Sequence, residues 1–225
     1  MLDKMKRSLR DTLTRDQIES GVRRFAESYC AAGDKVYDIG GGRYNYSKYF
    51  KNYLTVNLDP SENPDIHGDA EKLPLRSNSL DAVLCIALLE HVNNPEKVLS
   101  EIYRTLKPGK SAYVWVPFYW REHRYPTDHQ RYTTDGLSHI LQKTGFTIKE
   151  ITREPYSGFF FLAAHDIRFL VHDPHKSSAL NPLLYLHALA CVLSRVDKPL
   201  NLSHPTLYTG VEAVVQKPTG GKRNG

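Results

Sequence analysis

Apolar and polar positions along the chain switch between a helical and a strand-like period. Leu9, Leu13, Ile18, Val22 and Phe25 recur at roughly helical spacing in a charged segment, which predicts a helical region over residues 3–30. "KVYDIG" reads as a short buried strand, "NYSKYFKNY" as the helix after it, and "LTVNLD" as a second strand ending on Asp59, ahead of the breakers Pro60 and Pro64. "DIHGD" predicts a brief third strand. The apolar run "LDAVLCIALL" suits a central parallel strand, which is covered on both faces. In "NPEKVLSEIYRTLKPG" the residues Val98, Leu99, Ile102, Tyr103 and Leu106 share one helical face, with Pro-Gly expected to end the helix. "SAYVWVPF", "TIKEIT" and "YTGVEAVVQKP" supply three more strands, and "TTDGLSHILQKTGF" supplies a helix with a threonine start.

Strands alternating with helices imply a doubly wound, mostly parallel sheet. Residues 158–200 break the alternation with two apolar helical segments, "GFFFLAAHDIRFLV" and "NPLLYLHALACVLSRV", expected as an insertion or lid before the last strand. The expected organisation is an N-terminal helical segment (1–30), one domain (31–217) containing that insertion, and a disordered tail (218–225). In such sheets ligands bind beyond the carboxyl ends of the strands. Those ends collect Asp38, Gly40 to Gly42, Asp59, Asp69, Glu90, His91 and the loop from Pro117 to Tyr132.

Composition narrows the classes further. The 225 residues suffice for one well-buried core. The net charge of +5 comes without the Lys/Arg blocks of a dedicated nucleic-acid binder, so no nucleic-acid partner is expected. Cys30, Cys85 and Cys191 are scattered, with no CxxC pair, which fits a reducing cytoplasm rather than a disulfide framework or zinc knuckle. Neither a signal peptide nor an apolar run of membrane-spanning length, about 20 residues, is expected.

The three glycines after Asp38 raise the question of their ligand. A dinucleotide fingerprint would need a third spaced glycine where Asn45 stands, so the nicotinamide oxidoreductase reading fits poorly. An aspartate before the glycines, an acid at the end of the second strand and "GDAEKLPL" beyond the third form a different set. With "VYDIGGG", "VNLDPS", "GDAEKLPLRSNSLDAVLCIALLEHV", "PEKVLSEIYRTLKPG" and "GF", the chain from about Asp34 to Ile151 resembles a class I S-adenosylmethionine-dependent methyltransferase of the type 11 domain family. The resemblance implies a Rossmann-like seven-stranded sheet whose last strand is antiparallel, with S-adenosylmethionine as cofactor and S-adenosylhomocysteine as product. It implies that Asp38 with Gly40, Gly41 and Gly42 holds the amino-acid end, that Asp59 accepts the ribose hydroxyls, and that Asp69 and the Ala70 N–H meet the adenine. Leu88 is implied to line the cleft. Tyr44 departs from the pattern, standing where many relatives place a further glycine.

The sulfonium is already an activated donor, so the protein must mainly align the acceptor in line with the methyl–sulfur bond, exclude water and, for some acceptors, remove a proton. His123 and His129, in "PFYWREHRYPTDHQRYT", and His91, in "LLEHV", are the candidate bases. The "PTDHQRYT" element also suggests a structural role for Asp128 and Arg131 ahead of a threonine-capped helix. "LLEHV" resembles a segment that in some quinone and RNA-end methyltransferases supplies two glutamates and a histidine to a metal. Here the position of the first glutamate is Ala87, and Glu90 and His91 alone make a poor site for a hard cation, so no metal is expected. The [DN]-P-P-[YF] element of base-amino methyltransferases is missing, which leaves an oxygen of a small molecule (a sugar, a lipid-linked intermediate or a secondary metabolite) as the expected acceptor. The rival expectation is a cofactor-binding protein without turnover. A homodimer contact through residues 158–200 is a further expectation.

Overall fold

The computed structural model describes residues 12–42, 44–153, 159–171, 182–197, 199–200, 202 and 208–220. Expectations for residues 1–11, for the join between the two late helices and for the tail from 221 onward lie outside the described residues. The described elements are α1 (Thr12–Tyr29), β1 (Lys35–Ile39), β2 (Asn52–Asn57), β3 (Ile66–His67), β4 (Leu80–Ile86), α2 (Pro95–Thr105), β5 (Leu106–Pro117), α3 (Thr134–Thr144), β6 (Thr147–Arg153), α4 (Phe159–Val171), α5 (Pro182–Leu193) and β7 (Gly210–Gln216). They fall into two compact units: Glu19–Arg153 with Gly210–Gly225, and Met1–Ile18 with Glu154–Thr209.

The first unit is built on a seven-stranded sheet of order β3-β2-β1-β4-β5-β7-β6. All neighbours are parallel except β7, which runs antiparallel to both β5 and β6. This is the expected fold, with the last strand inverted. Strands β1, β4 and β5 hold the core, where Val36, Ile39, Val83, Leu84, Val114 and Val116 are buried. From α1, Phe25 packs its ring 6.0 Å from Tyr113 on β5, and Arg24 and Tyr113 both donate to the Glu212 carboxylate of β7. Asn94 caps α2 and Thr133 caps α3, each accepting a backbone N–H of the first turn. Gly145, at φ +102°, closes α3 in the left-handed region where glycine is favoured.

Two expected elements form differently. "NYSKYFKNY" is not a helix: it holds one 3₁₀ turn, Ser47–Tyr49, and β2 begins already at Asn52. The Asn45 side chain accepts the Ser47 N–H at 2.7 Å, a local bond that competes with helix formation. Aromatic residues crowd this stretch, and they lose side-chain freedom in a helix. Here Tyr46 and Phe50 are buried instead, with the Phe50 ring stacked 6.1 Å from Tyr53. The second difference is Pro108–Gly109, which lies within β5 rather than ending α2. Leu106 already pairs with Leu80, and the register shifts before Ala82 pairs with Ser111. Gly109, at φ +79°, donates its N–H to Lys217 O. The end of α2 is held by the Lys217 ammonium, which donates to Tyr103 O at 2.7 Å, Leu106 O at 2.8 Å and Asn78 Oδ1 at 2.7 Å.

In the second unit α4 packs against α5. The Asp197 carboxylate accepts the Phe160 N–H at 3.1 Å. Along α5, Tyr185, Leu186, Leu189 and Val192 are exposed. No helix among the described residues is long and apolar enough to cross a membrane.

Candidate active site at the carboxyl ends of the strands

The chain reverses out of β1 over its own aspartate. Asp38 is buried, and the Tyr53 O–H of β2 donates to its Oδ2 at 2.5 Å. Burial pushes this carboxyl up to about 7, with the Tyr53 hydrogen bond pulling the other way. The three glycines have separate steric reasons. A Cβ on Gly40 would stand 2.9 Å from Leu88 Cδ1, and its φ of +82° disfavours any side chain. A Cβ on Gly41 would meet the Asp38 carboxyl at 2.7 Å, and one on Gly42 the Glu62 carboxylate at 2.7 Å. Asn57 fastens the turn: Nδ2 donates to Gly41 O at 3.1 Å while Oδ1 accepts the Asp59 N–H at 2.9 Å. Asp38, Gly40 to Gly42 and Leu88 are therefore brought together as expected. Asn57 and Glu62 join them without any signal in the sequence beyond their position near Asp59.

Asp59 is exposed at the end of β2 and caps the 3₁₀ turn Pro60–Glu62, its Oδ1 accepting the Ser61 N–H at 2.8 Å. Hydrogen bonding from the Ser61 side chain, and then from its backbone N–H, holds the Asp59 carboxyl below the usual range. Asp69 is also exposed, and its Oδ1 accepts the Glu71 N–H at 2.8 Å in the turn after β3 that includes Ala70. Both acids thus have a local structural duty at one oxygen.

Beyond β4, Ala87 takes φ +50° and the chain turns so that the His91 N–H reaches Leu88 O at 2.9 Å. The loop after β5 is laced to this turn by three bonds, from His129 N to Glu90 O, Thr127 Oγ1 to His91 O and Gln130 Nε2 to Leu89 O. Within the loop the Arg131 guanidinium grips both oxygens of Asp128 and also donates to Arg121 O at 3.0 Å. Arg131 holds the Asp128 carboxyl well below the usual carboxylate range. These two residues are the clasp of the loop, the structural role anticipated for them. Tyr125, from the same loop, donates its O–H to Glu62, so the loop also reaches the glycine turn.

This lacing sets His123 against His91, with ring centroids 4.8 Å apart and planes at 82°. Glu90 completes the group. Its carboxylate is fully buried, neither oxygen has a hydrogen-bond partner, and Oε1 lies 3.7 Å from His91 Nε2. Burial pushes Glu90 up to about 8 and moves His123 down from the ordinary histidine range. His129 is exposed and contributes its backbone N–H to the lacing rather than its ring to this cluster. The sequence shows only Glu90 and His91 side by side in "LLEHV"; His123 joins them by loop packing across thirty-odd residues of chain.

A sheet of this strand order with an inverted last strand, an acid and glycine turn after β1 and a second acid after β2 define the class I methyltransferase fold. Residues 37–114 match the family model for the methyltransferase domain. The tRNA (carboxymethyluridine(34)-5-O)-methyltransferase of Macaca fascicularis is 37% identical over 100 residues, 38% of this chain and 15% of that protein. The demethylmenaquinone methyltransferase of Renibacterium salmoninarum is 49% identical over 119 residues, 46% of this chain. The match covers 50% of that enzyme, so the chain spans half or less of the curated relatives compared with it. Among solved structures, an S-adenosylmethionine-dependent methyltransferase from Archaeoglobus fulgidus superposes with a TM-score of 0.58 at 17% identity, covering 90% of this chain and 94% of that one.

Proposed function

We propose that the chain binds S-adenosylmethionine over the glycine turn and transfers its methyl group to an oxygen of a small-molecule acceptor lying beside Glu90, His91 and His123. The observation that carries this reading is Asp38, buried beneath Gly40 to Gly42, with Asp59 on the neighbouring strand end. The ammonium of the cofactor's amino-acid end pairs with the Asp38 carboxylate, and the glycines let the backbone approach it. Asp59, exposed at its strand end, accepts the ribose hydroxyls. Asp69 and Ala70 meet the adenine edge, and Leu88 lines the cleft. Leu58 is 62% exposed beside Asp59 and offers an apolar surface for a flat ring.

In the transfer the methyl–sulfur bond breaks as the methyl–oxygen bond forms, and S-adenosylhomocysteine leaves. The proton of the acceptor O–H passes to the His91–His123 cluster, with His129 the exposed alternative on the same loop. An oxygen acceptor fits a cleft with imidazoles at its wall and without a base-amino clamp. The tRNA relative is named for an oxygen of carboxymethyluridine and the quinone relative for demethylmenaquinone. The exposed apolar side of α5 supports a homodimer contact through that helix.

The test is transfer of labelled methyl from S-adenosylmethionine to a panel of hydroxyl and carboxylate acceptors, quinols and carboxymethylated nucleosides. Label is expected in one oxygen acceptor class, with the rate falling on the order of 100-fold in His91→Ala or His123→Ala. No transfer to any acceptor by protein that binds the cofactor contradicts turnover and leaves the silent cofactor-binding reading.

A further inference from the structure

We infer that Glu90, His91 and His123 form a binding site for a divalent transition-metal ion of borderline softness, of the Zn²⁺ class. One donor atom from each residue lies within 4.8 Å of the others. Two imidazoles and one carboxylate are the donor set that such ions take while leaving positions open for water or substrate. Hard cations need more oxygen donors than this cluster supplies.

Three further observations point the same way. The Glu90 carboxylate is fully buried with neither oxygen hydrogen-bonded, a costly arrangement that an ion bound to those lone pairs would resolve. Both rings are turned correctly for coordination. His91 Nδ1 is 2.5 Å from Thr127 O, and His123 Nδ1 is 3.3 Å from both Arg121 O and the Asp128 carboxylate. A carbonyl oxygen can only accept, so Nδ1 carries the proton and the Nε2 lone pair of each ring is left for an ion. The neighbouring cation, Arg131, spends its bidentate fork on Asp128 and makes no hydrogen bond to Glu90. Metal bonds of about 2.0–2.2 Å require the donors to turn toward a common point between them. With the ion bound, an open coordination position would take an acceptor oxygen and acidify its O–H, and the proton would leave to His129 or solvent rather than to the two ligating rings. That catalytic meaning rests on the proposed methyl transfer; the ion site itself does not.

The experiment uses the full chain, freed of metal by chelator and titrated with Co²⁺ while the visible ligand-field absorption is followed, then back-titrated with Zn²⁺. One ion per chain is expected, displaced by Zn²⁺. His123→Ala and Glu90→Gln should each weaken binding on the order of 100-fold or more. S-adenosylhomocysteine affinity, measured on the same preparations, should stay within a few-fold and so report that the variants are folded. A wild type that binds no Co²⁺ at millimolar concentration, or variants that bind it as tightly as wild type, overturns the site. Loss of S-adenosylhomocysteine binding in the wild type would instead overturn the proposed function, and the two failures are read separately.

Discussion

Wild-type affinity for S-adenosylhomocysteine is expected to rise about tenfold per pH unit from about pH 5 and to level off above about 7, where the free Asp38 carboxyl titrates. The reason is the burial of Asp38 beneath the glycine turn. Below its raised pKa the group is neutral and cannot pair with the ligand's ammonium, so binding must first remove a proton. Over two pH units the affinity should change about 100-fold. Asp38→Asn should keep the weak, low-pH affinity throughout and show no pH dependence. Tyr53→Phe removes the hydrogen bond that favours ionised Asp38, so its midpoint should move to higher pH. Calorimetry across the range reads all three. The sign carries over to folding: Asp38 and Glu90 are both raised, so each favours the unliganded fold at pH values below the ordinary carboxylate range. That contribution is lost as pH rises through about 7 and about 8 respectively.

Lys217→Met should be the most destabilising single change outside the site, costing about 3 kcal/mol. The residue follows β7 and is 9% exposed, with its ammonium shared among Tyr103 O, Leu106 O and Asn78 Oδ1. Methionine keeps the stem but leaves those acceptors without a donor at the point where α2 passes into β5. The thermal midpoint should fall by about 6–12 °C. Lys143→Met serves as the contrast. Lys143 pairs with Glu96 across exposed surface, and an exposed pair contributes about 1 kcal/mol at most. Thermal unfolding of the two variants side by side measures the difference between a buried cap and a surface ion pair.

What could be read in the sequence was whatever depends on local pattern. The buried runs gave the strands, and Asn94, Thr133 and Gly145 marked helix ends by the chemistry of their own side chains or backbone. The acid–glycine turn could be placed after β1 because its constraint is local too. The aromatic stretch after it misled, since helical spacing says nothing of rings that pack elsewhere, as Phe50 does on Tyr53. Pro108–Gly109 looked like a helix stop because an irregular strand start carries the same residues. The remaining misses are long-range. Nothing near Lys217 announces the carbonyls it serves, and nothing near His123 announces His91. Only the lacing of residues 127–131 onto 89–91 makes them neighbours. Glu90 could be read as an acid at a strand end, but its want of partners is a property of packing.

The central claim is that the glycine turn and the two strand-end acids bind S-adenosylmethionine. Its most direct test is calorimetric titration of the purified chain with S-adenosylhomocysteine at neutral to mildly alkaline pH, beside Asp59→Ala. Asp59 is exposed and caps only a short turn, so its loss should leave the fold intact. Micromolar binding by wild type, weakened on the order of 100-fold in the variant, is the predicted result. No binding to wild type at millimolar ligand, or equal binding by both proteins, would contradict it.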